Sequence, residues 1–271
     1  MAAHKHVVCL SGGLGSWACG KRVAERHGTD HLTLLFADTL IEDEDLYRFL
    51  AEAVPNIGGQ YVRIAHGRTP WEVFYDVGFL GNTRIDPCSR VLKRELLDRW
   101  LAENCDPANT TVYIGIDWTE EHRFTRLAAR KAEQGWRYAA PLCEAPYLTR
   151  KQMLAALRDE MIEPPRLYRM GFAHNNCGGF CVKAGHGAFK KLLQQLPQRY
   201  ADHEFEELVF RFAHGHQHTI LRDRRGGRTR PMTMEEFRLR VESGGAVDEF
   251  DIGGCGCAVD DGVDDDPWGG L

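Results

Sequence analysis

The sequence predicts a doubly wound α/β fold with a mostly parallel five-stranded sheet and a smaller irregular and helical C-terminal part. Two observations predict it. Apolar runs of strand length alternate with helical patterns over about the first 140 residues. A glycine-rich turn, "SGGLGS", connects the first apolar run to the first helix. In such folds, ligands bind beyond the carboxyl ends of the strands.

Five apolar segments have the length and composition of strands, and the second is apolar almost throughout, which is typical of the middle of a parallel sheet. In order they are "HKHVVCL", "HLTLLFAD", "QYVRIA", "TTVYIGID" and "WRYAAPL". Helical periodicity fills the intervals between them. The helical segments are "GSWACGKRVAERHG", "EDEDLYRFLAEAV", "SRVLKRELLDRWLAENC" and "EEHRFTRLAARKAEQG". Acids at the start of the second helix suit the positive end of a helix dipole.

The alternation ends after Pro141. A helix, "LTRKQMLAALRDEM", with Thr149 as its cap, precedes an irregular segment that contains two cysteines and several glycines. A long helical stretch follows, and "HTILRDRRGGRTRPMT" then predicts a hairpin that turns at Gly226-Gly227. We therefore predict three parts. They are an α/β core over 1–145, a helical and cysteine-containing region over 146–245, and a cysteine-containing acidic tail over 246–271.

The composition is that of a soluble globular protein, with 43% hydrophobic and 27% charged residues. No apolar run approaches the roughly 20 residues of a membrane helix, and the N-terminus has no signal-peptide pattern. We therefore expect a cytoplasmic protein that does not engage a membrane. Nine cysteines without an export signal argue against a disulfide framework. Reduced thiols, metal ligands or catalytic sulfur remain.

The net charge of −5 conceals an asymmetry. Residues 241–271 contain nine acids and no lysine or arginine, so the rest of the chain is mildly basic. This balance permits an anionic substrate, nucleic acid included. The predicted hairpin carries an arginine run that either binds nucleic-acid phosphates or forms a solvated surface. The run consists of Arg222, Arg224, Arg225, Arg228 and Arg230.

The glycine-rich turn in "VVCLSGGLGSWACG" fits more than one class of phosphate-binding loop. A Walker loop is excluded, because no Gly-Lys-Ser/Thr follows and the first lysine after the turn is Lys21. A dinucleotide-binding loop is an alternative, since the turn satisfies G-x-G-x-x-A and Asp38 ends the next strand, where a ribose-binding acid would lie. Serines at both ends of the turn suggest a third class.

The Ser-Gly-Gly-x-x-Ser segment, Ser11 to Ser16, resembles the pyrophosphate loop of the N-type ATP pyrophosphatase superfamily, which has a Rossmann-like fold. Downstream elements resemble its PAPS reductase-like branch over roughly residues 5–190. These elements are "FADT", "DPCSRVLK", "GIDWTEEHR" and "PPRLYRMGFAHNNCGGFC". The family loop has an aspartate where this chain has Gly15, so whatever that aspartate does in relatives is missing here or is supplied by the backbone.

The resemblance implies a set of nucleotide-binding residues that includes the whole loop and the end of the second strand. They are Ser11, Gly12, Gly13, Leu14, Gly15, Ser16, Asp38 and Thr39. An acid at the end of a strand also suits magnesium. Lys93 and Arg123 are the expected catalytic cations, which would contact a phosphate or a sulfate.

The cysteines in two glycine-rich segments are candidate metal ligands. Cys88, Cys177 and Cys181 would bind a four-iron cluster, as in related enzymes that install sulfur in nucleic acids, and Cys255 would complete the ligand set. A Cys₄ zinc site is the alternative. Cys257 in "GGCGC" is the candidate for a nucleophilic tail cysteine. Cys9, Cys19 and Cys105 fit ordinary buried positions.

The function that this resemblance implies is an enzyme that binds ATP with magnesium, adenylates a substrate, releases pyrophosphate and transfers sulfur, with a nucleobase or nucleic acid as the candidate acceptor. Three alternatives stay open. They are a sulfonucleotide reductase acting on PAPS or its relative APS, a non-catalytic nucleotide-binding partner protein with a structural cysteine site, and an NAD(P)- or FAD-binding protein. A sulfur-donor protein and a second copy of the chain are candidate partners.

Overall fold

The computed structural model describes residues 3–81, 85–225, 228–251 and 253, and it confirms the predicted α/β architecture. Five parallel strands form one sheet in the order β3-β2-β1-β4-β5. Their bounds are β1 Lys5–Leu10, β2 Leu32–Asp38, β3 Gln60–Ala65, β4 Thr110–Ile114 and β5 Arg137–Ala139. The strand order reverses between β1 and β4, and ligands bind at such a switch point in doubly wound sheets.

Eleven α-helices are present in the part of the chain that the structure describes. Their bounds are α1 Leu14–His27, α2 Glu44–Ile57, α3 Pro70–Val77, α4 Pro87–Ser89, α5 Glu95–Asn104, α6 Glu121–Glu133, α7 Arg150–Asp159, α8 Arg166–Arg169, α9 His186–Gln195, α10 Pro197–His214 and α11 Met234–Glu242. A π-helical turn, Arg90–Arg94, joins α4 to α5. None of these helices is long and apolar enough to cross a bilayer.

Helix α3 is absent from the sequence prediction. Thr69 caps it in a reciprocal capping box with Glu72, and Pro70 occupies its first position. Both features are start signals that the sequence contains. The helix has only eight residues, so its apolar periodicity spans about two turns and is weak.

The two faces of the sheet bury alternate residues of the central strands. Val8 and Leu34 pack on one face with the apolar sides of α1, α2 and α7. Val7 and Leu35 pack on the other face against α5. Every residue of β4 is buried, as expected for a strand covered on both faces. The carboxyl ends of the strands are therefore held firmly from both sides.

A second hydrophobic core lies in the C-terminal part and centres on aromatic side chains of α9, α10 and α11, including Phe189, Phe210 and Phe237. The two cores do not divide at residue 145. Met153 and Leu157 of α7 pack with the sheet core, whereas α3, which precedes β4 in the chain, packs with the second core. The two small strands β6 (Leu221–Asp223) and β7 (Arg230–Met232) form the predicted antiparallel hairpin.

The glycine-rich turn is packed tightly against the end of β4. A Cβ at Gly15 would lie 2.7 Å from the carbonyl oxygen of Gly115, and a Cβ at Gly115 would lie 2.6 Å from the backbone of Ser16. Real side chains do not approach backbone this closely. Glycine is required at both positions, and the family aspartate cannot occupy position 15 in this backbone arrangement.

We expect Gly15→Ala to lower the free energy of unfolding by a net ~1–2 kcal/mol. Overpacking costs about 1–3 kcal/mol, whereas alanine gains up to about 1 kcal/mol over glycine in a helix. Urea denaturation followed by circular dichroism measures the change, with Glu25→Ala on the exposed side of α1 as control. If Gly15→Ala and wild type had the same free energy of unfolding, the backbone at Gly115 would be able to move aside at little energetic cost.

Candidate active site

The glycine-rich loop is closed on itself by its two serines. The Ser16 hydroxyl donates to the carbonyl of Gly13 at 2.9 Å and accepts from the backbone N–H of Ser11 at 3.1 Å. The two serine Oγ atoms lie 3.2 Å apart. Gly12 has a left-handed backbone with φ of 71°. The N–H groups of the first turn of α1 have no intrahelical acceptor and lie at the positive end of its dipole. The loop is therefore held in one conformation beside the positive end of the α1 dipole, a position that favours an anion.

Two residues from the segment after α7 hold this loop in place. The buried Asn175 donates through Nδ2 to the carbonyl of Gly12 at 2.8 Å, and the Tyr168 hydroxyl accepts from the N–H of Leu14 at 3.1 Å. The Arg150 guanidinium lies 4.5 Å from the centre of the Tyr168 ring. The sequence prediction did not single out Asn175 or Tyr168, although both lie in the "LYRMGFAHNNC" segment.

Asp38 lies at the end of β2, as predicted, and its carboxylate already has several donors. It accepts from the N–H of Leu40 at 2.8 Å, from the Tyr47 hydroxyl at 3.0 Å and from Arg63 Nε at 2.8 Å. The side chain is fully buried. These contacts neutralise the carboxylate and fix Arg63, so they do not present Asp38 as an open ligand for magnesium or a ribose. Its nucleotide-binding role stays a prediction.

Glu42 connects three of the sequence motifs and was missed by the sequence prediction. Its buried carboxylate accepts from the hydroxyl of Thr39 at 2.9 Å and from the backbone N–H of Cys177, and its Oε1 lies 3.4 Å from Lys93 Nζ. Thr39 and Lys93 are both predicted site residues, and Cys177 is a predicted ligand. One carboxylate therefore brings the end of β2, the π-helical turn and the cysteine segment together.

The neighbouring carboxylate, Asp43, is fully buried and positions the turn that contains Cys177. Arg166 Nε lies 2.7 Å from its Oδ1. Arg199 Nη1 donates to its Oδ2 at 2.8 Å and to the carbonyl of Gly178 at 2.6 Å. Burial raises the pKa of Asp43, but the hydrogen bonds from Arg166 and Arg199 outweigh burial and hold the pKa below its usual value.

Cys88, Cys177 and Cys181 line one small cavity, as the sequence predicts for residues that act together. Lys93 and Lys183, both buried, line it as well. Cys177 has a left-handed backbone with φ of 51°, a strained conformation that residues outside glycine adopt rarely. Asp86 also lines the cavity, with its Oδ2 3.9 Å from Lys183 Nζ. Each ammonium group therefore has a carboxylate partner, and the three thiols lie among charged groups of both signs.

The other cysteines for which the structure gives a shifted pKa are in apolar surroundings. Burial raises the pKa of Cys9 to about 12 and that of Cys143 to about 11. Burial also raises the pKa of Cys19 and Cys105. These thiols stay protonated at neutral pH. Cys19 is buried, as expected, whereas Cys9 and Cys105 are only partly buried.

The cavity lined by the three cysteines does not by itself fit a four-iron cluster. It measures about 20 Å³, which is room for roughly one water molecule. Within residues 3–81, 85–225, 228–251 and 253, no group of three or more His, Cys, Asp or Glu side chains is placed to hold a metal ion. The predicted fourth ligand, Cys255, and the predicted nucleophile, Cys257, lie outside the described residues.

Arg123 is placed apart from the cysteine cavity. It lies in the first turn of α6 and forms an ion pair with Glu120. It is not among the residues that line the cavity. Its predicted role toward a phosphate or sulfate therefore stays a prediction.

Comparison with solved structures finds chains that are similar to this one. The chain is similar to the crystal structure of phosphoadenylyl-sulfate (PAPS) reductase from Candida auris in its phosphate complex, with 16% sequence identity and a TM-score of 0.41. The match covers 62% of this chain and 78% of that one. No family model and no curated protein matches the chain. What this chain binds is therefore inferred from its own contacts.

We expect Asp43→Asn to lower the free energy of unfolding by about 2 kcal/mol, between the values for exposed and buried ion pairs. Because the pKa of Asp43 is lowered, its stabilisation is complete above about pH 4 and is lost as the pH falls further. The variant should therefore show a shallower loss of stability in acid. Denaturation curves from pH 7 to pH 3 measure this, with the exposed Asp159→Asn as control. If stability fell with pH in the variant as it does in wild type, the charge of Asp43 would not be a source of this stabilisation.

Proposed function

We propose that the chain is an ATP pyrophosphatase of the pyrophosphate-loop type that adenylates a substrate and transfers sulfur to it. The observation that carries the proposal is the link between the loop and the cysteine cavity. Asn175 contacts the loop at Gly12, and Cys177, two residues later, lies at the cavity beside Lys93. A nucleotide site and three thiols therefore belong to one connected set of contacts.

The loop suits the pyrophosphate that leaves when ATP adenylates a substrate. The N–H groups of Gly15 and Ser16 in its first turn, at the positive end of the α1 dipole, are the donors we assign to the leaving group as it gains negative charge. The hydroxyls of Ser11 and Ser16 and the N–H of Leu14 already donate within the fold and hold this turn in position. Donors held in place before the reaction stabilise that charge without reorganising. A magnesium ion that enters with ATP would neutralise phosphate charge. The Asp38 carboxylate is occupied by Arg63 and Tyr47. We therefore assign no protein ligand to this magnesium ion.

The transfer step uses the cysteine cavity. A substrate oxygen attacks the α-phosphorus of ATP, the bond to the pyrophosphate breaks, and the substrate carries AMP on that oxygen. A hydrosulfide ion, supplied by a sulfur donor and held at the cavity, then forms a bond to the activated carbon. The bond from that carbon to the adenylated oxygen breaks, which releases AMP, and the sulfur loses its proton to solvent, which leaves the thiolated product. Lys93, a cation between Glu42 and the cavity, is suited to hold a phosphate oxygen during these steps.

The occupied carboxylate of Asp38 also separates this proposal from the dinucleotide-binding alternative. In such proteins, an acid at this position accepts hydrogen bonds from the ribose hydroxyls. Here the Arg63 guanidinium takes one of the two oxygens and the Leu40 N–H takes the other. The sulfonucleotide reductase alternative depends on a tail cysteine outside the described residues.

We expect ATP and inorganic pyrophosphate each to bind the protein, and Ser16→Ala to weaken both by about tenfold or more. The Ser16 hydroxyl closes the loop through two hydrogen bonds, to Ser11 and to Gly13. Each contributes about 0.5–1.5 kcal/mol, so removing the hydroxyl loosens the turn whose N–H groups would face the phosphates. Isothermal titration calorimetry measures the affinities, with Ser243→Ala beyond α11 as control. Thiol-dependent sulfite release from PAPS without pyrophosphate release from ATP would instead establish the reductase.

The predicted iron–sulfur cluster is tested by composition. Anaerobic purification should give about four irons and four acid-labile sulfides per chain, and Cys177→Ser should lose both. Cys9→Ser, at a cysteine away from the cavity, should retain them. Because the cavity as described has room for about one water, a cluster requires the cavity to widen when it is loaded. Colourless protein with one zinc ion and no sulfide would replace the cluster with the zinc site.

A further inference from the structure

A second cavity, of about 480 Å³, lies beside the β6–β7 hairpin, well away from the loop in sequence. Four arginines line it, three from the hairpin and one from α11. They are Arg222, Arg224, Arg225 and Arg240. We call it the arginine cavity. Its volume is that of an ordinary ligand site, and the proposed ATP chemistry does not use it.

One buried carboxylate holds two of the four cavity arginines, together with Arg230 of the hairpin, and a third cavity arginine, Arg224, lies 3.8 Å from Asp251. Asp223 accepts from Arg225, Arg230 and Arg240, each at 3.0 Å. Three guanidinium groups thus share one negative charge, and a positive surplus remains. Two other acids line the cavity, Asp248 and Asp251, and they are fewer than the four arginines. The cavity therefore favours an anion.

Arg240 carries a donor that needs an acceptor. Its Nη1 is buried and has no hydrogen-bond partner among the residues that the structure describes. Its Nη2 is engaged with Asp223, so the guanidinium cannot turn away without breaking that pair. A buried unsatisfied donor is costly. The Nη1 atom is out of contact with solvent, so a ligand oxygen would reach it only after the guanidinium or its neighbours shift.

An aromatic side chain lies at the edge of the same cavity. Phe250 is 96% exposed, and its backbone is held by the turn in which Asp248 accepts from the N–H of Phe250 at 3.1 Å. The next residue, Asp251, accepts from the N–H of Gly187 at the start of α9. An exposed ring on a held backbone, next to arginines, is an arrangement that can stack a base while cations hold the nucleic-acid backbone.

We propose that the arginine cavity binds single-stranded nucleic acid, with the arginines on backbone phosphates and Phe250 stacked on a base. A duplex is disfavoured, because its bases are already stacked on one another. One part of the inference rests on the proposed function, namely that the bound strand is the sulfur acceptor. The location of Phe250 supports that role. Its neighbour Glu249 lines another cavity, of about 460 Å³, and Cys181 lines that cavity too.

Fluorescence anisotropy with a labelled single strand of about 15 nucleotides, as DNA and as RNA, tests the proposal. Wild type should bind at least one of them with marked salt dependence. Arg224→Ala/Arg225→Ala should weaken binding about tenfold or more and lower the slope of log K against log salt by about 1.4, or 0.7 for each lost phosphate contact. Arg158→Ala on α7 is the matched control and should bind as wild type does.

Phe250→Ala should weaken binding about fivefold or more, and Phe250→Trp should preserve it. The ring is too exposed for its removal to unfold the chain, so this variant stays informative if the arginine variant folds poorly. The proposal would be overturned if wild type bound neither strand, or if Arg158→Ala weakened binding as much as the arginine variant does. It would also be overturned if duplex or polyglutamate competed as well as the unlabelled single strand. ATP titrations on the same variants separate the two proposals. If wild type binds ATP but no strand, only the proposed strand site is refuted. If wild type does not bind ATP, the proposed nucleotide-binding role of the loop is refuted.

Discussion

The candidate site depends on two adjacent buried carboxylates, Glu42 and Asp43, that follow β2. Charges in a protein interior require partners, and these two find theirs far along the chain. Glu42 contacts Lys93 and Cys177, which are 51 and 135 residues away. Asp43 contacts Arg199, which is 156 residues away. Because the partners come from both cores, the cysteine cavity exists only when the sheet and the helical region are folded together.

This dependence joins binding at the loop to the state of the cysteines. Asn175 holds the loop, Glu42 and Arg199 hold the turn at Cys177 and Gly178, and the chain between them is only a few residues long. A shift of the loop on nucleotide binding would therefore be transmitted to Cys177 through backbone that is already strained. Under the proposed function, such an arrangement would couple the sulfur chemistry to the presence of the nucleotide.

The sequence predicted the sheet well because its signals are local. Apolar runs such as "HLTLLFAD" and capping residues such as Thr149 act over a few positions, and all five strands are found where expected. The gathering of Cys88, Cys177 and Cys181 was expected from a resemblance in motif order. Helix α3 was missed because two turns of periodicity are a weak pattern, although its capping box was present.

Residues that act through distant partners could not be predicted in the same way. Glu42 and Asp43 appear in the sequence as ordinary acids at a helix start, and only tertiary packing shows which cations they meet. Conversely, Asp38 occupies the expected position but is engaged by Arg63, which lies on the adjacent strand. The hairpin arginines lacked an aromatic neighbour in the sequence, and the fold supplies Phe250 from 20 residues beyond Arg230.

The contact between Gly15 and Gly115 has a consequence for how this chain could change over time. A side chain at either position requires the other segment to retreat, so neither glycine can be replaced first without loss. A lineage with aspartate in the loop and one with this pair of glycines are therefore separated by a step that single substitutions cross only with difficulty. The loop of this chain therefore differs in structure from a loop that carries aspartate, and Gly115, directly after β4, constrains that difference.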